Sequence, residues 1–333
     1  MKIVMVTGGA GFIGSNFIKY MLGKYPDCKV INFDKLTYAG NLENLISVEG
    51  DVANALDIKN VFEQFNPDYV VHFAAESHVD RSIVNPDIFL TSNIIGTQIL
   101  LNQSRENKVK KFVQISTDEV YGSLPTGIAS KEDDKLNPNN PYAASKASAD
   151  LLIRVAHQTF KQPVNIIRAC NNYGPFQFPE KLIPLMIVNS LLNEELPLYG
   201  DGQNIREWLH VNDHCKAIDL VLHKGIPGET YNVGTGDNWE NLKLVEHLLQ
   251  KFPESKSHIQ FVLDRQGHDF RYALDSSKIQ NELGWKPEVK FEDGLQETIE
   301  WYVNHQEWIE DIRTGNYLKY YDTNYAERMM EIS

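Results

Sequence analysis

Residues Val4-Met5-Val6-Thr7-Gly8-Gly9-Ala10-Gly11-Phe12-Ile13-Gly14 decide the fold. A short β-type run, Val4 to Thr7, passes into Gly8, Gly11 and Gly14, and then into a helical spacing of Phe17, Ile18, Met21 and Leu22. Glycines at this spacing allow a tight turn, close approach of backbone to a pyrophosphate, and close packing of helix on strand. The phosphates then sit at the helix N-terminus, where unpaired N–H groups and the helix dipole favour negative charge. Alone, such a triplet is weak evidence. Here it follows a strand, opens a helix and precedes a second strand, Lys29-Val-Ile-Asn-Phe33, which ends at Asp34. An acid in that place bonds the adenosine ribose hydroxyls and repels a 2′-phosphate, pointing to NAD as cofactor; Lys35 beside it pulls the other way without reversing the reading.

Working outward, strand and helix patterns alternate. Expected strands are Ile3–Val6, Val30–Phe33, Ser47–Gly50, Tyr69–Phe73, Phe112–Thr117 and Val164–Arg168; expected helices include Lys59–Gln64, Ile88–Glu106 and Tyr142–Thr159. Alternation of this kind predicts an α/β fold, a Rossmann-type doubly wound parallel sheet with helices on both faces. Asn140-Pro141 reads as a helix start, with Asn as cap and Pro in the first position. After Asn171 the pattern changes to Pro-rich, aromatic and charged segments with short elements. A smaller, interleaved α/β substrate-binding lobe is therefore expected. The division is residues 1–173 for the NAD-binding domain, with returns at about 208–238 and 287–306. Residues 174–207 and 239–286 form the lobe, and 307–333 a C-terminal extension.

The expected fifth strand, Lys111-Phe-Val-Gln-Ile-Ser-Thr117, runs into Asp118-Glu119-Val-Tyr121. Ligands of open α/β sheets sit at the carboxyl ends of strands, so two adjacent carboxyls lie where chemistry happens. Farther on, Tyr142-Ala-Ala-Ser-Lys146 puts a phenol and an ammonium four apart on one helix face. A phenol beside an ammonium can accept an alcohol proton. The carboxyls add an acid and a base, more equipment than a simple dehydrogenase needs.

The 333 residues suit a large α/β body with a second lobe. A net charge of −13 with no basic block speaks against nucleic acid or an anionic membrane as partner. Cys28, Cys170 and Cys215 follow no disulfide or zinc pattern. No apolar run approaches the ~20 residues of a membrane span, and the chain enters its first strand at once, so a cytoplasmic protein is expected.

The residues resemble the extended short-chain dehydrogenase/reductases, and within them the dTDP-glucose 4,6-dehydratase family. The matching segments are Thr7–Gly14, Asp34–Leu42, Phe73-Ala-Ala-Glu-Ser-His-Val-Asp-Arg81, Ser116–Gly122, Tyr142–Ser148, Asn171-Asn-Tyr-Gly-Pro175, Pro179-Glu-Lys-Leu-Ile-Pro184, Leu196–Gly200, Arg206-Glu-Trp-Leu-His210 and Asp264-Arg-Gln-Gly-His268. The resemblance implies a hydro-lyase reaction. Tyr142, its pKa lowered by Lys146 and the nicotinamide, takes the sugar 4-hydroxyl proton while hydride passes to NAD. Thr117 bonds the same oxygen. Glu119 removes the C5 proton, Asp118 protonates the departing C6 hydroxyl, and hydride returns to C6. On the cofactor side it implies Gly8, Gly11, Phe12, Ile13, Gly14, Asp34, Lys35, Leu36 and Thr37, with Asp51 and Val52 by the adenine. Phe73, Ala74, Ala75, Ser77 and Ser92 follow, then Tyr142, Lys146 and Asn172 by the nicotinamide. On the substrate side it implies Ser77, Thr117, Asn171, Lys181, Leu182, Pro197, Leu198, Tyr199, Arg206, Asn241, Arg265 and His268. Arg206 is the expected bidentate partner of the diphosphate.

His210 and His214 are spaced like a metal pair, but no third ligand completes a set and no metal is expected. Ile95, Ile99, Leu100, Leu101, Leu151, Leu152 and Val155 fit either plain core or, as the resemblance implies, a homodimer through a four-helix bundle. The chain is shorter than is usual for the family between Leu45 and Glu49, and Asn54 replaces a common Asp. The expected substrate is dTDP-glucose. UDP-glucose or UDP-N-acetylglucosamine with the same chemistry stays open. A nucleotide-sugar epimerase is disfavoured, because inversion at C4 needs no C5 base. A non-catalytic nucleotide-sugar-binding protein is disfavoured by the intact Tyr142, Lys146, Asp118 and Glu119 set.

Overall fold

A computed structural model describes residues 2–35 and 47–313. Leu36, Thr37, the start of the shortened segment and residues 314–333 lie outside the described residues. The strands, in chain order, are β1 (Ile3–Thr7), β2 (Lys29–Asp34), β3 (Ser47–Glu49), β4 (Tyr69–His72), β5 (Lys111–Thr117) and β6 (Val164–Ala169). They continue with β7 (Asn171–Tyr173), β8 (Leu196–Tyr199), β9 (Ile205–His210), β10 (Thr230–Val233), β11 (Asn238–Glu240) and β12 (Ile259–Val262).

Seven strands make one sheet in the order β10-β6-β5-β4-β1-β2-β3, and every pairing in it is parallel. The chain leaves β1 toward β2 and β3, then crosses back to β4. That reversal opens a crevice at the carboxyl ends of β1 and β4, where ligands bind in sheets of this kind. Alternation along β1 explains the double winding. Val4 and Val6 pack with Phe17, Ile18 and Met21 on one face, while Met5 packs with Ile58, Phe62 and Leu101 on the other. Burying one such side chain contributes about 1.5–3 kcal/mol.

The second lobe has its own core. Ile183, Met186 and Ile187 of helix Leu182–Leu192 pack with Leu196, Leu198, Leu244, Leu248 and Val262. Two small sheets frame it. In one, β9 lies between β7 (parallel) and β11 (antiparallel); the other pairs β12 with β8.

Helix Pro141–Phe160 starts as the sequence indicates, with Asn140 Oδ1 accepting from Ala143 N at 2.8 Å and Pro141 in the first turn. The continuous helix expected over Ile88–Glu106 is instead Pro86–Phe89, a π-helical stretch Leu90–Ile95, and Gly96–Glu106. The wide turn brings Asn93 inward, where its side chain bonds both Glu76 N and Glu76 O and donates to Ser145 Oγ at 2.8 Å. A tertiary contact has overridden the helical period.

Candidate active site

The crevice is a cavity of about 440 Å³ running from the glycine turn to the second lobe. Its floor depends on two glycines. Gly8 has φ +71°, and a Cβ there would lie 2.6 Å from Ala74 N; a Cβ on Gly14 would lie 2.3 Å from Gly8 O. No side chain caps helix Phe12–Lys24, which begins after Gly11 with no acid in its first turn. The turn is thus open and suited to an anion. Asp34 ends β2 and accepts from Ala10 N at 2.9 Å, which ties it to the same turn. Lys35 is bound to Asp51 at 2.6 Å, so its charge is already answered on the protein.

At the other end, Thr117 closes β5 and Asp118–Tyr121 forms a 3₁₀ turn. Asp118 is 3% exposed; Thr117 Oγ1 donates to its Oδ1 at 3.1 Å, and its Oδ2 has no partner among the described residues. Burial, with Glu119 and Glu207 adding negative charge, raises its carboxyl well above the usual range. A shift in that direction favours the protonated form. Glu119 is held differently, its Oε2 facing Asn140 Nδ2 at 3.2 Å and the Tyr272 hydroxyl at 3.4 Å.

Tyr142 and Lys146 share helix Pro141–Phe160 as expected, but the phenol is not depressed. Burial, then Glu119 and Asp118, lifts it above its ordinary value, against a hydrogen bond with Thr117. The lowering expected from Lys146 and the nicotinamide together is therefore not supplied by the protein groups alone. Lys146 Nζ donates to Ile115 O at 2.6 Å, and burial brings its ammonium down to about 8. Asn172 bridges Cys170 O and His214 Nδ1, each at 2.9 Å.

Every described residue expected at the cofactor end lines this one cavity, from the glycine turn through Asp51, Val52, Phe73, Ala75, Ser77 and Ser92 to Asn172. So do Asn171, Lys181, Leu182, Pro197, Leu198, Tyr199, Arg206, Asn241, Arg265 and His268. Their detail differs from expectation in places. Arg206 donates to the carbonyls of Ile205 and Asp269, both at 2.8 Å, and stacks over the Tyr272 ring. Its fork is partly spent on backbone rather than wholly offered for bidentate binding. Lys181 Nζ meets Ser77 O at 2.8 Å, joining the lobe to the loop after β4. His268 is bound to Asp264 at 2.6 Å.

Sequence reasoning missed His78, Asp80, Glu180, His214 and Tyr272. The first four line the cavity, and Tyr272 reaches it through Glu119. His78, Asp80 and Glu180 stand inside the segments Phe73–Arg81 and Pro179–Pro184, which carried the only available signal. The structure gives the two histidines other roles: His210 caps helix Val211–Lys224, and His214 buttresses Asn172. Among the described residues no cluster of His, Cys, Asp and Glu could bind a metal ion.

The family profile of GDP-mannose 4,6 dehydratase matches residues 5–298. A dTDP-glucose 4,6-dehydratase of Shigella flexneri is 43% identical over 362 residues, covering 98% of this chain and 100% of that protein. The chain belongs to the dTDP-glucose 4,6-dehydratase family. A low-salt glycan biosynthesis protein of Haloferax volcanii is 47% identical, over 91% of this chain and 99% of its own length. The crystal structure of a Streptomyces venezuelae dTDP-glucose 4,6-dehydratase with NAD bound superposes with a TM-score of 0.88 at 47% identity, covering 93% of this chain and 99% of that one. Among the described residues no helix is long and apolar enough to cross a membrane.

Proposed function

We propose that this protein is an NAD-dependent 4,6-dehydratase that converts dTDP-glucose to dTDP-4-keto-6-deoxyglucose and water. The observation that carries the reading is the meeting of Asp118 and Glu119 with Tyr142 and Lys146 in one cavity. Oxidation at C4 needs the second pair alone. Elimination across C5 and C6 needs the first as well.

The turn at Gly8, Gly11 and Gly14 fits a dinucleotide pyrophosphate, and Asp34 fits its ribose. Pairing of Lys35 with Asp51 occupies a cation that would otherwise welcome a 2′-phosphate. Ala74, Ala75, Tyr142, Lys146 and Asn172 line the path to the nicotinamide end. When bound, NAD supplies reversible removal and return of a hydride. In its phenolate form, favoured by the Lys146 ammonium and by the positive nicotinamide that bound NAD would place beside it, Tyr142 accepts the sugar 4-hydroxyl proton, and Thr117 bonds the same oxygen. The ketone formed at C4 acidifies C5–H, which Glu119 removes. Asp118, protonated by its burial, delivers a proton to the C6 hydroxyl, which leaves as water. Lys181, Arg206, Arg265 and His268 would hold the diphosphate. Leu182, Pro197, Leu198, Tyr199 and Asn241 would line the base, with Asn171 and Ser77 near the sugar.

The division into a cofactor domain and a substrate lobe follows these roles. The exposed apolar side chains Ile95, Leu151 and Val155 lie on the two helical segments that a four-helix bundle would pair, which supports a homodimer. The three cysteines are free thiols, in keeping with a reducing compartment, and we assign the cytoplasm.

The test is separate incubation with dTDP-glucose, UDP-glucose and UDP-N-acetylglucosamine. The bases differ by one methyl, worth only about 1–3 kcal/mol in a pocket, so all three are needed. A 4-keto-6-deoxy product from dTDP-glucose supports the reading. Preference for a uridine sugar would move the substrate and keep the chemistry; no product from any of them would end it.

A further inference from the structure

Behind the active site, on the β5–β6 side, a buried guanidinium joins the two elements that carry the reactive groups. Arg168, on β6, donates from Nε to Asp150 Oδ2 at 2.8 Å and from Nη1 to the Tyr121 hydroxyl at 2.7 Å. Asp150 lies on helix Pro141–Phe160, one turn beyond Lys146 and two beyond Tyr142. Tyr121 ends the 3₁₀ turn that begins with Asp118 and Glu119, and its hydroxyl donates onward to Asn232 Oδ1 at 2.8 Å on β10. Arg168, Asp150, Tyr121 and Asn232 are all buried. None touches the cavity that holds the reactive groups.

We propose that Arg168 is a positioning residue. It clamps the Tyr142/Lys146 helix to the Asp118–Glu119 turn, and it pins the charge of Asp150 one helical turn from Lys146. This rests on the dehydratase reading above.

A hydrogen-bonded guanidinium suits the task because its planar fork has donors aimed in two directions at fixed geometry. A buried ion pair is poor evidence of stability, since desolvation offsets much of its attraction; a role in holding geometry accounts for it better. Asp150 also acts on Lys146 through space. Burial draws the ammonium down to about 8, and Asp150 is the charge that opposes it. Lys146 shares the cavity with Tyr142 on its own helix and with Asp118 and Glu119 on the turn, and it bears on His72 of β4. His72 is neutral near pH 7, since burial and Lys146 itself hold it down to about 3. Only Asp150 has its carboxylate locked by a cation on the far side, so its charge is fixed rather than shared with substrate.

Two variants of the full-length holoprotein test this. Asp150→Asn keeps the size and one acceptor for Arg168 but removes the charge. Titration of the Lys146 side chain by NMR, its signal assigned with Lys146→Met, should then fall by about one to two pH units, the scale of one charge a helical turn away in a partly screened interior. An unmoved Lys146 titration overturns the electrostatic half of the proposal. Tyr121→Phe cuts the link from Arg168 to the turn and leaves the helix side intact. With dTDP-glucose, it should leave C4 oxidation within about twofold and slow elimination about tenfold, read by nicotinamide absorbance after rapid mixing and by product formation. Equal loss of both steps, or of neither, overturns the clamp. If the unmodified protein makes no 4-keto-6-deoxy sugar, it is the dehydratase reading that fails, and the Lys146 titration still decides whether Asp150 sets its charge.

Discussion

Asp118 and Glu119 are consecutive in the chain but sit in unlike surroundings. Asp118 is sealed in, with Thr117 bonded to one oxygen and the other unanswered among the described residues. Glu119 turns toward two donors, Asn140 and Tyr272. The 3₁₀ turn beginning at Asp118 makes the difference, because three residues per turn point adjacent side chains in well-separated directions. Burial pushes one carboxyl toward its protonated form, while the other is met by hydrogen-bond donors that suit a carboxylate. That is the division an acid and a base in one elimination require.

Replacing the acid should separate the two stages of the reaction. Asp118→Asn leaves Tyr142 and Lys146 in place, so rapid mixing with dTDP-glucose should still give the nicotinamide absorbance transient. Product formation should fall by roughly 10²–10⁴, the scale of one general acid. Tyr142→Phe is the control and should give no transient. If Asp118→Asn binds substrate without any transient, the assigned separation of roles is wrong.

Asp34 tests the cofactor end. Asp34→Ala removes a carboxylate that braces the glycine turn through Ala10 N and would bond the ribose. Retention of NAD through purification should weaken about tenfold, the value of roughly 1.4 kcal/mol, and discrimination against NADP should narrow. An unchanged preference between the two cofactors would show that Asp34 does not read the ribose.

Acid should destabilise the fold through buried histidine. His72 is held neutral between Thr7 and Thr97, with its pKa brought down to about 3 by burial and then Lys146. An unfolded histidine titrates near 6.5. The unfolded chain therefore binds the extra proton, and stability present above pH ~6.5 is lost progressively as pH falls toward 3. Between pH 7 and pH 5 this one residue accounts for about 2 kcal/mol. Denaturant unfolding of His72→Gln should lose that much less over the interval than the unmodified protein. Groups common to both, including the raised Asp118, cancel in the difference. Parallel pH slopes would exclude His72 as the source.

The exposed apolar side chains give a test of assembly. Ile95, Leu151 and Val155 are 51%, 54% and 48% exposed in the single chain. Light scattering after gel filtration should report twice the 38.0 kDa chain mass, and a Leu151→Glu, Val155→Glu double variant should report one chain, since two charges would be desolvated in the contact. A dimer that survives both substitutions places its interface elsewhere.

Several features were legible because they are local. The glycine turn, Asp34 at the end of β2, the Asn140 cap and the four-residue step from Tyr142 to Lys146 each depend on neighbours within one turn or one strand. Six of the seven strands of the main sheet were legible for the same reason, to within a residue or two, since β5 and β6 are buried along their whole length and rich in β-branched and aromatic residues; β10 and the short strands of the two small sheets were not. The π-helical stretch was not, because its cause is Asn93 reaching Glu76 across the fold.

By itself the sequence determined the parallel α/β plan, the dinucleotide turn and the identity of the reactive groups, because hydrophobic period, glycine spacing and residue chemistry are written along the chain. Only the tertiary structure decided the condition of those groups. Tyr142 in the protein alone is raised because burial, then the carboxyls of Glu119, Asp118 and Asp150, outweigh its hydrogen bond with Thr117. Glu119 is oriented by Tyr272, 153 positions away, Asn172 by His214, and Arg206 by the carbonyls of a distant loop. Charge state depends on desolvation and on neighbours brought together by folding, and neither quantity exists until the chain has closed around the site.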